Sequence, residues 1–172
     1  MNDSIIRRGY GALRIGRFSL SDATYFLTIC LQRPQTGLTS EALLAKILAE
    51  IHRLEESAHW TMRTGVVMPD HMHLLPVLGR QEDLSKIIRF FKGRLAVALR
   101  DFGLSWQPSF YDHRLRLTHE GLPTFRYIFL NPYHEGLIGA GEKWPGYFCS
   151  KQDWEWFEGL TSEETPFPEW LL

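Results

Sequence analysis

Trp60-Thr61-Met62-Arg63-Thr64-Gly65-Val66-Val67-Met68-Pro69-Asp70-His71-Met72-His73-Leu74-Leu75-Pro76-Val77-Leu78 is the stretch on which the fold turns. An apolar, β-branched run reaches Pro-Asp, where a fixed φ and a short acceptor side chain favour a reversal, and a second apolar run follows. The stretch predicts two strands about a tight turn. Upstream, Thr24-Tyr25-Phe26-Leu27-Thr28-Ile29-Cys30-Leu31-Gln32 reads as a buried strand that stops at Arg33-Pro34. From Ser40, a good N-cap with Glu41 behind it, Leu43, Leu44, Ile47, Leu48, Ile51 and Leu54 recur at helical spacing to near Ser57. Downstream, Glu82 to Asp101 carries Leu84, Ile87, Ile88, Phe91, Leu95, Ala98 and Leu99 at a period near 3.6, and Phe102-Gly103 closes that second helix. Trp106 to Leu117 ends as an alternating, strand-like segment. Pro123 then suits the first turn of a third helix, expected to finish by Asn131 because Pro132 cannot donate and disfavours helical geometry before it. The fold class expected is α+β: a ferredoxin-like βαββαβ antiparallel sheet with an added C-terminal helix.

The chain has 172 residues, 44% of them apolar, which suits one domain with a sizeable core. No stretch approaches the roughly 18 uninterrupted apolar residues of a membrane span, and the N-terminal residues lack a basic-then-apolar signal layout, so the cytoplasm is the expected compartment and no membrane partner is expected. Cys30 and Cys149 are too few for a disulfide framework and lack metal spacing; both are expected reduced and buried. Net charge is −1, but residues 1–134 hold 17 Lys and Arg against 12 Asp and Glu (+5), and residues 135–172 hold 2 against 8 (−6). A mildly basic body thus carries an acidic tail. The chain divides into an N-terminal arm (1–20), a body (21–145) and an acidic C-terminal extension (146–172).

His71 and His73 are two apart on an expected strand, so both imidazoles project from one face and form a chelating pair. Two partly exposed histidines in a hairpin are the commoner meaning of such a pair, and neither is expected to be a core residue. A site for Zn, Mn or a similar ion needs a third ligand. Tyr127 and Asn131 lie four apart on the third helix, on one face. The Asn131 amide oxygen is a candidate for that ligand, and a phenol beside a cation-bound phosphate is a plausible nucleophile. In isolation, the segment would be read as a packing tyrosine and an asparagine at a helix end.

Met68-Pro69-Asp70-His71-Met72-His73-Leu74-Leu75, then Trp106-Gln107-Pro108-Ser109-Phe110-Tyr111-Asp112-His113, then Tyr127-Ile128-Phe129-Leu130-Asn131-Pro132-Tyr133-His134-Glu135-Gly136-Leu137 resemble, in order and spacing, the tyrosine transposases of the HUH superfamily. The likeness runs from about Tyr25 to Trp144 and is nearest to the REP-associated tyrosine transposases, relatives of the single-strand insertion-sequence transposases. The resemblance implies that residues 21–145 form the catalytic domain, that His71, His73 and Asn131 hold a divalent metal, Mg²⁺ or Mn²⁺, and that Tyr127 attacks single-stranded or hairpin DNA to leave a 5′-phosphotyrosine. It favours a monomer, with a dimer as the alternative. Lys86, Arg89, Lys92, Arg94, Arg114 and Arg116 become candidates for phosphate contact, and Trp106, Phe110 and Tyr111 for base stacking. A solvated helix face accounts equally for Lys86 and Arg89, and core packing for Trp106 and Phe110. His113 is expected to support the site or the fold, and His52, His59, His119 and His134 to lie on the surface. Trp154, Trp156, Phe157, Phe167 and Trp170, interleaved with acids, either dock the tail near the DNA or pack as an appendage. Two other readings stand: a metal phosphoesterase using water, and a non-catalytic binder of DNA hairpins.

Overall fold

The computed structural model describes residues 19–158. The elements run β1 (Tyr25–Cys30), α1 (Glu41–Glu56), β2 (Trp60–Val67), β3 (His71–Leu78), α2 (Leu84–Asp101), β4 (Tyr111–Arg114), α3 (Leu117–His134), β5 (Tyr147–Cys149) and α4 (Lys151–Glu158). The sheet has the order β4-β1-β3-β2-β5, antiparallel throughout. Its first four strands with α1 and α2 are the expected βαββαβ arrangement, and α3 is the added helix. The β2–β3 hairpin closes as the Pro-Asp turn requires, with Met68 N donating to His71 O at 2.8 Å. At the end of α2, Gly103 takes φ +70°. Its N–H bonds Arg100 O at 2.9 Å and the next N–H bonds Leu99 O at 2.8 Å, a closure that left-handed geometry permits.

Strand alternation sorts the side chains onto two faces. Leu27, Ile29, Met72 and Leu74 join the apolar stripes of α1 and α2 in the larger core. On the opposite face Val66, Leu75 and Leu115 pack with Phe125 and Ile128 of α3 and Phe157 of α4. A bulge between Met62 and Thr64 shifts the β2 register. The shift explains why even-numbered Trp60 and Met62 belong to the first core and Val66 to the second.

Several expectations are corrected. Helix α3 begins at Leu117 and continues to His134, with Pro123 and Pro132 inside it. Packing of Phe125 and Ile128 outweighs the hydrogen bonds that the prolines remove. Residues 147–158, expected as the beginning of the extension, supply β5 and α4, so the sheet gains a fifth strand beside β2. Of the expected fourth strand, Tyr111–Arg114 forms the ladder and Trp106 adds an isolated bridge to Leu31; the loop between them is held by Lys92 Nζ, which donates to Gln107 O at 2.5 Å and Ser109 O at 3.2 Å. Ser40 flanks α1, but its hydroxyl makes no capping bond. Cys30 and Cys149 are free thiols and half-buried rather than buried. Phe167 and Trp170 lie outside the described residues, as does the arm before residue 19.

Candidate active site

The second face of the sheet carries the chemistry. In register, β1 sets Thr28 opposite His73 and Cys30 opposite His71, so both imidazoles stand on the side covered by α3. His73 is only 4% exposed, which makes it a residue of the interior and corrects the expectation for it. Phe26 stacks on its ring with centroids 5.1 Å apart and planes 23° apart. His73 Nδ1 lies 2.9 Å from Thr28 Oγ1, and His71 Nδ1 lies 2.7 Å from Asp70 Oδ1. The two Nε2 atoms are 3.1 Å apart.

Burial, then the neighbouring His71, pulls the His73 pKa down to about 3, against a backbone hydrogen bond at Leu27 and the charge of Asp70. The ring is therefore neutral near pH 7 and holds one proton. With the proton of each ring on Nδ1, which the Asp70 carboxylate favours for His71 and the Thr28 hydroxyl can accept for His73, both Nε2 atoms are left with lone pairs, the form in which imidazole ligates metals. Two nitrogens about 2.1 Å from one ion and roughly at right angles sit about 3.0 Å apart. The observed separation fits that spacing.

Tyr127 stands on α3 over this pair. Its hydroxyl is 3.3 Å from His73 Nε2, and its ring meets the His73 ring edge-on at 5.1 Å and that of Phe26 at 5.9 Å. The residue is nonetheless 45% exposed, so a large substrate has access to it. One turn further along α3, Asn131 is 6% exposed. Its Oδ1 is buried without a hydrogen-bond partner among the described residues. An orphaned buried acceptor is uncommon in folded proteins, and an ordered water or a cation satisfies it. No group of three His, Cys, Asp or Glu able to hold a metal forms among the described residues. A third protein ligand has to be of another type, and an amide oxygen qualifies.

The remaining candidates scatter. The β1–β4 register puts Tyr111 and His113 on the site face and Arg114 on the other. Tyr111 is 56% exposed, with its ring 6.4 Å from Phe26. His113 meets Glu120 at 3.2 Å, and Glu120 accepts the Arg116 N–H at 2.6 Å, which ties β4 to the start of α3. Trp106 and Phe110 pack against the larger core. Lys86, Arg89, Lys92 and Arg94 belong to α2, behind the sheet from the histidines. Of the outlying histidines, His52 and His134 are exposed and His59 is half-buried. Sequence reading missed Thr28 and Phe26, whose roles follow only from the β1–β3 register, and the anchoring of α3 by β5 and α4. There Phe129 meets Tyr147, Trp154 and Phe157 at 5.1, 6.1 and 5.5 Å. Arg63 Nε donates to Asp153 Oδ1 at 3.0 Å, and the Arg63 guanidinium lies 5.0 Å from the Phe125 centroid.

Over 134 residues the chain is 28% identical to the REP-associated tyrosine transposase of Escherichia coli K12, covering 75% of this chain and 78% of the relative. Its fold is similar to the solved structure of a REP-associated tyrosine transposase bound to a REP hairpin, with a TM-score of 0.71 and 23% identity over 91% of this chain and 92% of that one. No helix among the described residues is long and apolar enough to cross a membrane. Residues 19–119, which hold both histidines and end short of Tyr127, match the family model for IS200-like transposases; the chain belongs to that family of enzymes.

Proposed function

We propose that this chain is a metal-dependent single-strand DNA endonuclease and strand transferase that acts on REP-like hairpin DNA through a 5′-phosphotyrosine at Tyr127. The observation that carries the reading is the accessible Tyr127 hydroxyl, 3.3 Å from the buried Nε2 of a chelating histidine pair. The names borne by its relatives support the choice of substrate. His71, His73 and Asn131 would hold Mg²⁺ or Mn²⁺, which when bound polarises a nonbridging oxygen of the scissile phosphate.

The chain's own residues do the rest. Tyr127 Oη forms a bond to phosphorus as the P–O3′ bond breaks, and the phenol's proton is balanced by protonation of the departing 3′-oxygen. Attack by a 3′-hydroxyl on the phosphotyrosine reverses those bonds, so cleavage and rejoining need no external energy source. Phe26 and His73 fix the Tyr127 ring edge-on, which limits its rotation before attack. Tyr111, exposed on the same face, offers a stacking surface for an unpaired base. Arg116, exposed at the start of α3, is in place for a phosphate. Tyr127 of α3 stands beside the His73 ring of its own chain, which supports a monomer as the working unit.

The test is incubation of the full chain with end-labelled hairpin DNA and Mn²⁺ or Mg²⁺, followed by denaturing electrophoresis. A denaturant-resistant adduct is expected from the wild type and none from Tyr127→Phe, which loses only the hydroxyl and keeps DNA binding. Strand cleavage at the wild-type rate by Tyr127→Phe would transfer the nucleophile's role to water, and hairpin binding without cleavage would favour a non-catalytic module.

A further inference from the structure

Lys92, a candidate for phosphate contact on its charge alone, is turned to a different use. It is half-buried on α2, and its Nζ donates to Gln107 O at 2.5 Å, Ser109 O at 3.2 Å and Pro108 O at 3.4 Å. An ammonium has three hydrogens and no acceptor, so three consecutive carbonyls suit it.

The register explains why those carbonyls need a donor. Trp106 bridges Leu31 and Tyr111 pairs with Thr28, so three steps along β1 stand against five along the other segment. Two extra residues are taken up between those pairs, and Pro108, without an N–H, gives the ladder no donor there. Before the insertion Gln107 N bonds Cys30 O at 2.9 Å, and after it the ladder resumes at Tyr111.

The face that β4 presents depends on this count. Strand side chains alternate, so an insertion of two keeps the faces as they were and an insertion of one exchanges them. With two, Tyr111 stands on the face of Thr28 and His73, its exposed ring 6.4 Å from that of Phe26. With one, Phe110 would take its place opposite Thr28, and Tyr111 would turn toward the larger core. β4 is an edge strand of four residues, paired with β1. Four residues on one neighbour do little to fix their own register.

We propose that Lys92 is a positioning residue for substrate binding: by holding the two-residue insertion from behind the sheet, it fixes the register of β4 and so sets Tyr111 where an unpaired base of the DNA stacks. The proposal rests on the single-strand DNA reading above and gives Lys92 no contact with DNA.

The experiment is a double-mutant cycle on the full chain. Wild type, Lys92→Met, Tyr111→Ala and the double variant are compared for affinity, against salt, to a REP-type hairpin with unpaired flanking bases. Methionine keeps the length of the side chain without its donors or charge. Each single variant should lose roughly tenfold in affinity, about the worth of one stacked base. The double variant should lose no more than Tyr111→Ala, because both changes act through one ring. The slope of log affinity against log salt should stay at the wild-type value, whereas a lysine on a phosphate would lower it by about 1. At saturating DNA the rate of adduct formation by Lys92→Met should hold; mere loss of stability would instead lower the bound fraction at saturation and leave the affinity of the folded chains alone. Lys92→Gln, which donates through its amide without charge, should lose less than Lys92→Met, and it carries the cycle where Lys92→Met does not fold. Losses that multiply in the double variant, a slope lowered by about 1, or wild-type affinity in Tyr111→Ala would each overturn the proposal. A wild type that binds the hairpin without forming an adduct overturns the catalytic reading and leaves Lys92 to be judged by the cycle. A wild type that binds no DNA overturns both.

Discussion

His71 and His73 look equivalent in the sequence, but one ring is buried and the other partly exposed. His73 carries the Phe26 stack, the Thr28 contact and the Tyr127 hydroxyl, whereas His71 leans on exposed Asp70. His71→Ala is therefore expected to remove metal-dependent activity with a smaller stability loss than His73→Ala, its side chain being 20% exposed. His73→Ala should cost about 2 kcal/mol or more as well, because a buried ring leaves a cavity. Thr28→Val separates ligand orientation from packing: it keeps shape and β-propensity and removes only the oxygen beside Nδ1. Adduct formation titrated with Mn²⁺ should show affinity or rate falling about tenfold or more, with the thermal midpoint little changed. Unaltered titration in Thr28→Val would show that the Nδ1 contact does not set the ring.

At the scale of elements, legibility in the sequence follows from length and period. Helices α1 and α2 present six or seven apolar residues at one spacing, and the β2–β3 hairpin is marked by Pro69-Asp70, so all three were readable. Strand β5 has three residues, too few for alternation to register, and α4 hides its anchors among acids. Helix α3 runs past both ends that local proline rules predict, because the apolar surface it covers outweighs them. The bulge in β2 left no local signal, since it is defined only against β3. Glycine gives a clean contrast between elements. At Gly65, in β2 opposite Leu74, a Cβ would stand 2.5 Å from Phe148 Cζ and 3.0 Å from the His73 carbonyl oxygen. Gly65→Ala should therefore cost about 1–3 kcal/mol by forcing β5 away, whereas Gly93→Ala, whose Cβ would meet nothing within 4 Å, should stabilise α2 by about 0.5–1 kcal/mol. Urea midpoints of the two variants should shift in opposite directions; a shift of the same sign would show that one glycine has been assigned the wrong environment.

For the whole molecule, the sheet serves as a partition. The larger core on one face supports the fold, and the other face brings His71 and His73 of β3 against Tyr127 of α3, with Asn131 one turn further along that helix. Stability should carry the signature of that arrangement in its pH dependence. An unfolded chain binds a proton at His73 near pH 6.5, whereas the folded metal-free chain, with the value held down to about 3, does not. Between those values the unfolded state holds the extra proton, so the contribution is complete above about 6.5 and is lost as pH falls, at up to about 1.4 kcal/mol per unit. Glu50 acts in the same direction at lower pH: against its burial, the bonds and charges of Arg53 and Arg94 hold its carboxyl below the usual value, so it is ionised in the fold after the unfolded chain has taken up a proton. Urea midpoints of metal-free protein should thus decline from pH 7 to pH 5. The decline should be shallower in His73→Gln, the difference between the two proteins isolating this ring from the exposed histidines. Mn²⁺ should raise the wild-type midpoint at pH 7.5, because an ion that binds only the folded chain stabilises it. Parallel pH profiles for wild type and His73→Gln would mean that the ring titrates in the fold as it does in the unfolded chain, and the neutral, ligand-ready form of His73 would have to be given up.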